Sequence, residues 1–209
     1  MKITKFNHSC ILIETNGRVA LFDPGTMSTA LLSIDMLPKI DDLFISHIHG
    51  DHFDKAFVVA LYKKYPQVRI TTTQEVADVL ATDNVIASVS AQENVMFFES
   101  PHENVSPLAA QPQEIGIHYL DTYTHPGDSH SFKETKRILA LPVTAPWGSA
   151  VRAINLALDL KPQHIIPIHD WHWRDEAREQ MYNAFETIFQ KQNIIFHKMI
   201  NGVQVDINI

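Results

Sequence analysis

Three histidines and one aspartate fall within six consecutive residues of this chain, and this crowding is difficult to explain without a metal ion. The segment reads His47-Ile48-His49-Gly50-Asp51-His52. Histidine and aspartate are mostly surface residues, and a packed interior tolerates them only when they are paired or coordinate a metal. Imidazole and carboxylate together suit zinc, with manganese or iron as alternatives. A histidine-rich surface loop that binds nothing is the competing interpretation, and a chance match at all four positions is rare.

The spacing within this segment gives the side chains two directions. The apolar run 43–45 predicts a short buried strand that ends at the segment, and α/β folds place their chemistry at such strand ends. On an extended backbone His47 and His49 point the same way, so the two rings can hold one metal. A sharp turn at Gly50 then lets the next two side chains face a second metal.

One loop supplies too few ligands for such a site, so further ligands must come from elsewhere in the chain. Three residues qualify, because each follows an apolar segment that predicts a strand: His102, Asp128 and His169.

Taken in chain order, these residues resemble the metallo-β-lactamase-fold hydrolases. The matching features begin with Asp23 after a strand and continue through the His-x-His-x-Asp-His segment. They end with His102, Gly127-Asp128-Ser129 and His169, and so span nearly the whole chain. The resemblance implies an α/β fold, a four-layer αββα sandwich of two mixed β-sheets flanked by helices. It implies one metallo-β-lactamase-like domain over residues 1–209.

The resemblance also assigns the ligands to two divalent ions, with zinc as the first choice and manganese or iron possible. The first ion would be held by His47, His49 and His102, the second by Asp51, His52 and His169, and Asp128 would bridge the two. Asp23 resembles the family's early aspartate, which supports the metal loop by hydrogen bonding and binds no metal itself. Groups of this kind orient the ligands and tune their basicity.

Hydrolysis is the reaction that two close cations favour. They lower the pKa of a water between them from about 15.7 toward 7 and polarise a carbonyl or phosphoryl oxygen. Asp51 and Asp128 are the predicted catalytic residues, because either carboxylate can hold the water or accept its proton. The predicted function is therefore a metal-dependent hydrolase of a small ester, lactone or phosphoester.

Three other functions remain open. A nuclease acting on RNA is disfavoured by the balance of 17 basic against 24 acidic residues, a net charge of −7, and by the lack of an added nucleic-acid-binding domain. A di-iron redox protein is disfavoured because that branch of the superfamily commonly has a carboxylate where this chain has His49. A metal-binding protein without catalysis would differ by a saturated ligand shell.

Four further histidines allow two interpretations each. His8 lies in Asn7-His8-Ser9-Cys10, which resembles the branch that includes ascorbate-6-phosphate lactonase, although a hydrogen-bonded hairpin histidine is the favoured interpretation. His125 and His130 flank the predicted bridging aspartate, and His172 follows the last ligand. Each of these three rings can line the site or serve only in packing.

Three tryptophans, Trp147, Trp171 and Trp173, can form a binding wall or pack in the core, and packing is favoured for at least one. The irregular stretch Glu103–Glu114 is the predicted loop over the site.

Composition indicates one compact globular domain: 209 residues, 45% apolar and 20% charged, without a linker or repeat. The first residues alternate as in a strand rather than a signal peptide, and no segment approaches the roughly 20 apolar residues of a membrane span. The lone cysteine, Cys10, fits a reducing compartment, so the cytoplasm is the expected location. A small-molecule substrate is expected, with no nucleic-acid or membrane partner, and the oligomeric state stays open.

Periodicity and capping residues give the secondary structure in outline. Helices are predicted over 54–65, 73–81, 149–160 and 174–190. Strands are predicted near 2–6, 10–15, 18–22, 43–46, 68–72, 85–88, 94–99, 115–123, 137–142, 164–168, 194–199 and 202–207.

Overall fold

A computed structural model of the chain describes residues 1–108 and 110–209, and over these residues it forms two β-sheets and five α-helices. The strands are β1 Lys2–Lys5, β2 Ile11–Thr15, β3 Arg18–Phe22, β4 Asp42–Phe44, β5 Arg69–Thr71, β6 Val95–Phe98, β7 Gly116–Tyr119, β8 Tyr123–His125, β9 Ile138–Pro142, β10 His164–Ile168, β11 Ile195–Phe196 and β12 Gln204–Asp206. The helices are α1 Thr26–Thr29, α2 Lys55–Lys64, α3 Gln74–Ala81, α4 Ala150–Leu160 and α5 Asp175–Gln190.

Both sheets are mixed and have six strands each. The first has the order β12-β1-β2-β3-β4-β5, antiparallel from β12 to β3 and parallel from β3 to β5. The second has the order β11-β10-β9-β8-β7-β6, parallel from β11 to β8 and antiparallel from β8 to β6. The α/β class and the two mixed sheets with flanking helices are therefore confirmed.

The contacts within the chain divide it into two compact units, each of which contains one sheet. The first unit comprises Met1–Glu93, Pro112–Ile115 and Ile200–Ile209, and the second comprises Asn94–Gln111 and Gly116–Met199. A single domain over residues 1–209 stays a prediction.

Apolar helix faces hold the strand that leads to the histidine-rich segment of the first unit. Helix α2 begins after Asp54, whose side chain accepts a hydrogen bond from the backbone of Phe57, and α3 begins after the predicted cap Thr73. Both helices bury one apolar face against the sheet in a cluster that includes Leu43 of β4. Since this packing fixes the end of β4, it also fixes where His47 starts the loop.

The second unit uses the same construction to place His169. Helix α4 is capped by the Ser149 side chain, and α4 and α5 pack their apolar faces against β9 and β10. The centre of this packing includes Phe185 of α5 and Ile165 of β10. His169 directly follows β10, so the predicted ligand lies at the carboxyl end of a buried parallel strand.

Two strand predictions were wrong. The predicted strand 115–123 is a hairpin of β7 and β8, because Leu120 and Asp121 take left-handed conformations with φ of 53° and 50° and reverse the chain. The predicted strand 85–88 forms only a single bridge, between Ser88 and Thr71. No helix among residues 1–108 and 110–209 combines the length and apolarity that a membrane crossing requires.

His164 and His197 form a stacked pair in the second unit, with 3.1 Å between the Nδ1 atom of His164 and the Nε2 atom of His197. Burial, and then the charge of His164, lower the pKa of His197 from 6.5 to about 4. Burial, and then Arg137, lower the pKa of His164. The folded protein therefore resists protonation of both rings.

This pair predicts a loss of stability in mild acid. In the unfolded chain His197 binds a proton near pH 6.5, whereas in the folded chain it does so only near pH 4. The free energy of unfolding is therefore unaffected by this ring above pH 6.5 and decreases as the pH falls from 6.5 toward 4. We expect His197→Gln to reduce that fall by about 1 kcal/mol, a value discounted because the ring is partly exposed. Urea unfolding at pH 7 and pH 4.5 measures the loss of free energy of unfolding in each protein. An equal loss in wild type and variant would contradict the lowered pKa of His197.

Candidate metal centre

The first unit gathers four of the predicted ligands in the loop after β4. The ring centroids of His47 and His49 lie 4.9 Å apart, and those of His47 and His52 lie 4.2 Å apart. The nearest ligand atoms of His47 and His49 lie within 4.8 Å of each other, as do those of Asp51 and His52. Direct packing fixes the loop, because a Cβ atom on Gly25 would lie 1.8 Å from the carbonyl oxygen of Asp51.

Asp23 holds His52 in one orientation. Its Oδ2 atom lies 2.6 Å from the Nδ1 atom of His52, and its Oδ1 atom accepts a hydrogen bond from the backbone N–H of Ser46 at 2.7 Å. The Ser46 hydroxyl donates to the Oδ2 atom of Asp23. The predicted hydrogen-bonding role of Asp23 is confirmed, and the arrangement turns the Nε2 atom of His52 toward the ligand cluster.

Glu114 supports the ring of His47 as Asp23 supports that of His52, and the sequence did not predict this role for Glu114. Its Oε2 atom lies 3.2 Å from the Nδ1 atom of His47, and the two side chains are 1% and 0% exposed. The residue ends the stretch Glu103–Glu114, which was predicted as a loop over the site and whose Ala109 lies outside the described residues. Nothing in that irregular sequence distinguishes this glutamate from a solvent-exposed one.

We expect Glu114→Gln to weaken metal binding about 10- to 100-fold, because a neutral amide lowers the basicity of His47. Competition with a chromophoric chelator measures the affinity. Glu75→Gln is the matched control, since Glu75 binds the neighbouring backbone N–H of Gln113 and touches no ligand. Equal affinities for the two variants would contradict a role of Glu114 in the centre.

The second unit brings together the other three predicted ligands. Asp128 is buried between two imidazoles, with its Oδ1 atom 2.6 Å from the Nε2 atom of His169 and its Oδ2 atom 3.7 Å from the Nε2 atom of His102. His102 donates its Nδ1–H to the backbone carbonyl of Glu103 at 2.6 Å. His169 has a φ of 67°, a conformation that is costly for a residue with a Cβ atom.

The tautomers of His52 and His102 point to a cation in each unit. Each ring directs its Nδ1–H at an oxygen, so in the neutral ring the Nε2 atom carries a lone pair. That lone pair faces a carboxylate oxygen, at 3.8 Å from Asp51 for His52 and at 3.7 Å from Asp128 for His102. Both distances are too long for a hydrogen bond, and both fit two ligands of one ion with bonds of about 2.0–2.2 Å. The donor sets therefore suit divalent metal.

Trp147 contacts the ligand group of the second unit. Its indole Nε1–H donates to the Oδ2 atom of Asp128 at 3.1 Å, and its ring packs against His169 and edge-on to His130. His130 donates Nε2–H to the carbonyl of Pro142 at 2.7 Å, and burial lowers its pKa. Of the residues left open by the sequence, Trp147 thus lies against a predicted ligand, whereas His130 supports the indole.

The remaining open residues of the second unit are divided between packing and exposure. Trp173 packs against Phe185 of the core, which confirms that at least one tryptophan serves in packing. Trp171 is 47% exposed. His125 is buried with its Nδ1 atom 3.2 Å from the Tyr123 hydroxyl, and the Nε2 atom of His172 lies 3.5 Å from the Thr144 hydroxyl.

Comparison with known proteins gives consistent matches. Residues 2–169 match the model of the beta-lactamase superfamily domain. Protein Rv0786c of Mycobacterium tuberculosis is 28% identical over 193 residues, 87% of this chain and 90% of that protein. A UPF0173 metal-dependent hydrolase of Bacillus thuringiensis is 46% identical over 55 residues, 25% of this chain and 23% of its own. Among solved structures, Igni18, a metallo hydrolase of Ignicoccus hospitalis, has a TM-score of 0.72 at 15% identity and covers 99% of both chains.

Proposed function

This chain belongs to the beta-lactamase superfamily as a metal-dependent hydrolase, and we propose that it uses a binuclear zinc centre to hydrolyse a small ester, lactone or phosphoester. The first ion would be bound by His47, His49 and His102, the second by Asp51, His52 and His169, with Asp128 bridging. That the two ligand sets share one centre is taken from the family pattern and is part of the proposal.

The observation that carries this proposal is the pairing of lone pairs with carboxylates. The Nε2 atoms of His52 and His102 each face a carboxylate oxygen at a distance that fits an intervening ion. The same carboxylate oxygens lie within hydrogen-bond distance of His8 and Trp147, and a cation between each oxygen and the facing lone pair would attract both acceptors, more strongly because they are buried. Binding of a metal ion at each position would then contribute to the stability of the folded chain.

When bound, two divalent ions supply Lewis acidity and make a water acidic enough to attack near neutral pH. The residues of the chain then have distinct tasks. Asp23 and Glu114 fix the rings of His52 and His47. Asp51, whose side chain is 23% exposed, can accept a proton at its carboxylate, while the Trp147 indole holds the carboxylate of Asp128 in place.

The proposed substrate is small and not a nucleic acid. The chain carries a net charge of −7, and a strongly basic surface is what phosphate-backbone binding requires. We also propose a reducing compartment, the cytoplasm, because a chain with the single cysteine Cys10 does not rely on internal disulfides.

A hydrolysis screen on one preparation tests the proposal. Metal-stripped protein and protein reconstituted with zinc, manganese or iron are each incubated with aryl esters, lactones, phosphomonoesters and phosphodiesters. We expect turnover of at least one small substrate only after reconstitution. RNA added to the same panel tests the nuclease alternative, and activity on RNA alone would replace the proposed substrate class.

A further inference from the structure

His8 occupies a rigid turn between β1 and β2 that the proposed function leaves without a task. Asn7 and His8 both have positive φ, 71° and 42°, which is uncommon for residues with a Cβ atom. Backbone hydrogen bonds between Phe6 and Cys10 and between Cys10 and Asn7 close the turn. The Asn7 amide also donates to the carbonyl of Met27. The surrounding structure therefore forces a strained backbone that presents one imidazole.

That imidazole points at the predicted ligands of the second ion. The Nε2 atom of His8 lies 3.0 Å from the Oδ2 atom of Asp51, and the ring centroid lies 5.6 Å from that of His52. The ligand atoms of these three residues all lie within 4.8 Å of one another. His8 is 3% exposed, so its ring is buried.

We propose that His8 is itself a ligand of the second metal ion, completing a set of two imidazoles and one carboxylate from the first unit. Two imidazoles and one carboxylate form a common set for zinc, manganese and iron. This inference rests on the proposed function, because it adds one ligand to an ion of that centre. It replaces the sequence-based preference for a plain hairpin histidine.

A distance of 3.0 Å between His8 and Asp51 fits two neighbouring ligands of one ion, and it also fits a hydrogen bond from the ring to the carboxylate. These two roles differ in what can replace the ring. A glutamine amide can donate a hydrogen bond to Asp51, but it is a poor ligand for zinc. His8→Gln therefore separates ligation from hydrogen bonding, whereas His8→Ala removes both.

The test compares binding of the first and second zinc equivalents in wild type, His8→Ala, His8→Gln and the control His197→Gln. The control replaces another partly buried histidine, which pairs with His164 outside the ligand sets. We expect both His8 variants to weaken the second equivalent more than about 100-fold, beyond the 10- to 100-fold typical of a supporting hydrogen bond, and the control to leave it unchanged. Retained affinity in His8→Gln, or in both variants, would overturn the proposal.

A spectroscopic measurement keeps the proposal testable if a variant fails to fold, which circular dichroism of the metal-free proteins reveals. In cadmium-substituted wild-type protein, NMR detects scalar coupling between a bound cadmium nucleus and each ring nitrogen that ligates it. We expect coupling to the Nε2 atom of His8, and its absence overturns the proposal. Failure of the wild type to bind two ions at all would instead overturn the proposed function, so the two failures are distinguishable.

Discussion

Asp128→Asn is expected to lower kcat/KM on the order of 1000-fold for the substrate that the hydrolysis screen identifies, and to abolish most of the stabilisation that zinc gives the fold. The carboxylate lies between His102 and His169 and accepts the indole N–H of Trp147. An amide preserves its size but removes the negative charge with which the carboxylate would hold the proposed metal ions. Because the wild type gains about 2.7 kcal/mol at a metal concentration 100-fold above its dissociation constant, the loss is measurable by thermal unfolding with and without zinc.

Asp121→Asn is the matched control for this variant. Asp121 lies in the same unit and its side chain is 80% exposed, where it pairs with Lys136. We expect the control to keep both activity and zinc-dependent stabilisation, since an exposed ion pair contributes little. Full activity of Asp128→Asn at saturating metal would show that this aspartate is not part of the catalytic centre.

Asp170→Ala is expected to destabilise the protein by about 3–5 kcal/mol, which is the usual effect of removing one partner from a buried ion pair. The Asp170 side chain is 1% exposed and accepts hydrogen bonds from Arg178 at 3.0 Å and from the Tyr182 hydroxyl, both on α5. Burial, and then the charge of Asp170, raise the pKa of Tyr182, so its hydroxyl stays protonated and donates. Urea unfolding of the metal-free protein measures the loss.

Two further variants show whether the loss in Asp170→Ala comes from its buried hydrogen bonds or merely from the removal of a negative charge. Tyr182→Phe removes one donor to Asp170 and is expected to cost about 1–3 kcal/mol. Asp175→Ala removes the other carboxylate that pairs with Arg178, but that carboxylate is 94% exposed, so a change below about 0.5 kcal/mol is expected. Equal losses for Asp170→Ala and Asp175→Ala would contradict the structural role given to Asp170.

The position of Asp170 also connects stability with the proposed metal centre. His169, the residue before it, has a strained φ of 67°. Arg178 of α5 donates hydrogen bonds to both the side chain and the backbone carbonyl of Asp170, and so holds the adjoining backbone. We therefore expect Asp170→Ala to weaken metal binding as well as folding. A strained residue held by a buried network is a common arrangement at functional sites.

The proximity of several proposed ligands was predictable because local spacing determines it. His47, His49, Asp51 and His52 follow a short buried strand, and Asp23 follows its neighbour in the sheet, so strand ends bring them together. The hairpin at Leu120 and Asp121 was missed, because only Asp121 is a usual turn former and the strand pattern on both sides of it is continuous, while Leu120 rarely adopts a positive φ.

The supporting contacts were beyond the sequence because they depend on tertiary packing. Glu114 meets His47 across more than sixty positions of the chain, and its neighbouring residues carry no periodic pattern. Asn7 and His8 belong to the residue types that adopt positive φ most readily, but two such residues in succession depend on the surrounding turn. The stacked pair of His164 and His197 likewise requires the register of β10 with β11.

Metal content tests the central claim most directly. Freshly purified wild-type protein and His47→Ala are measured by inductively coupled plasma mass spectrometry after removal of loosely bound ions. If the centre is binuclear, we expect near two equivalents of zinc per chain in the wild type and clearly less zinc in His47→Ala. Two equivalents of iron would favour the di-iron redox alternative, and absence of any metal after reconstitution would contradict the metal centre itself.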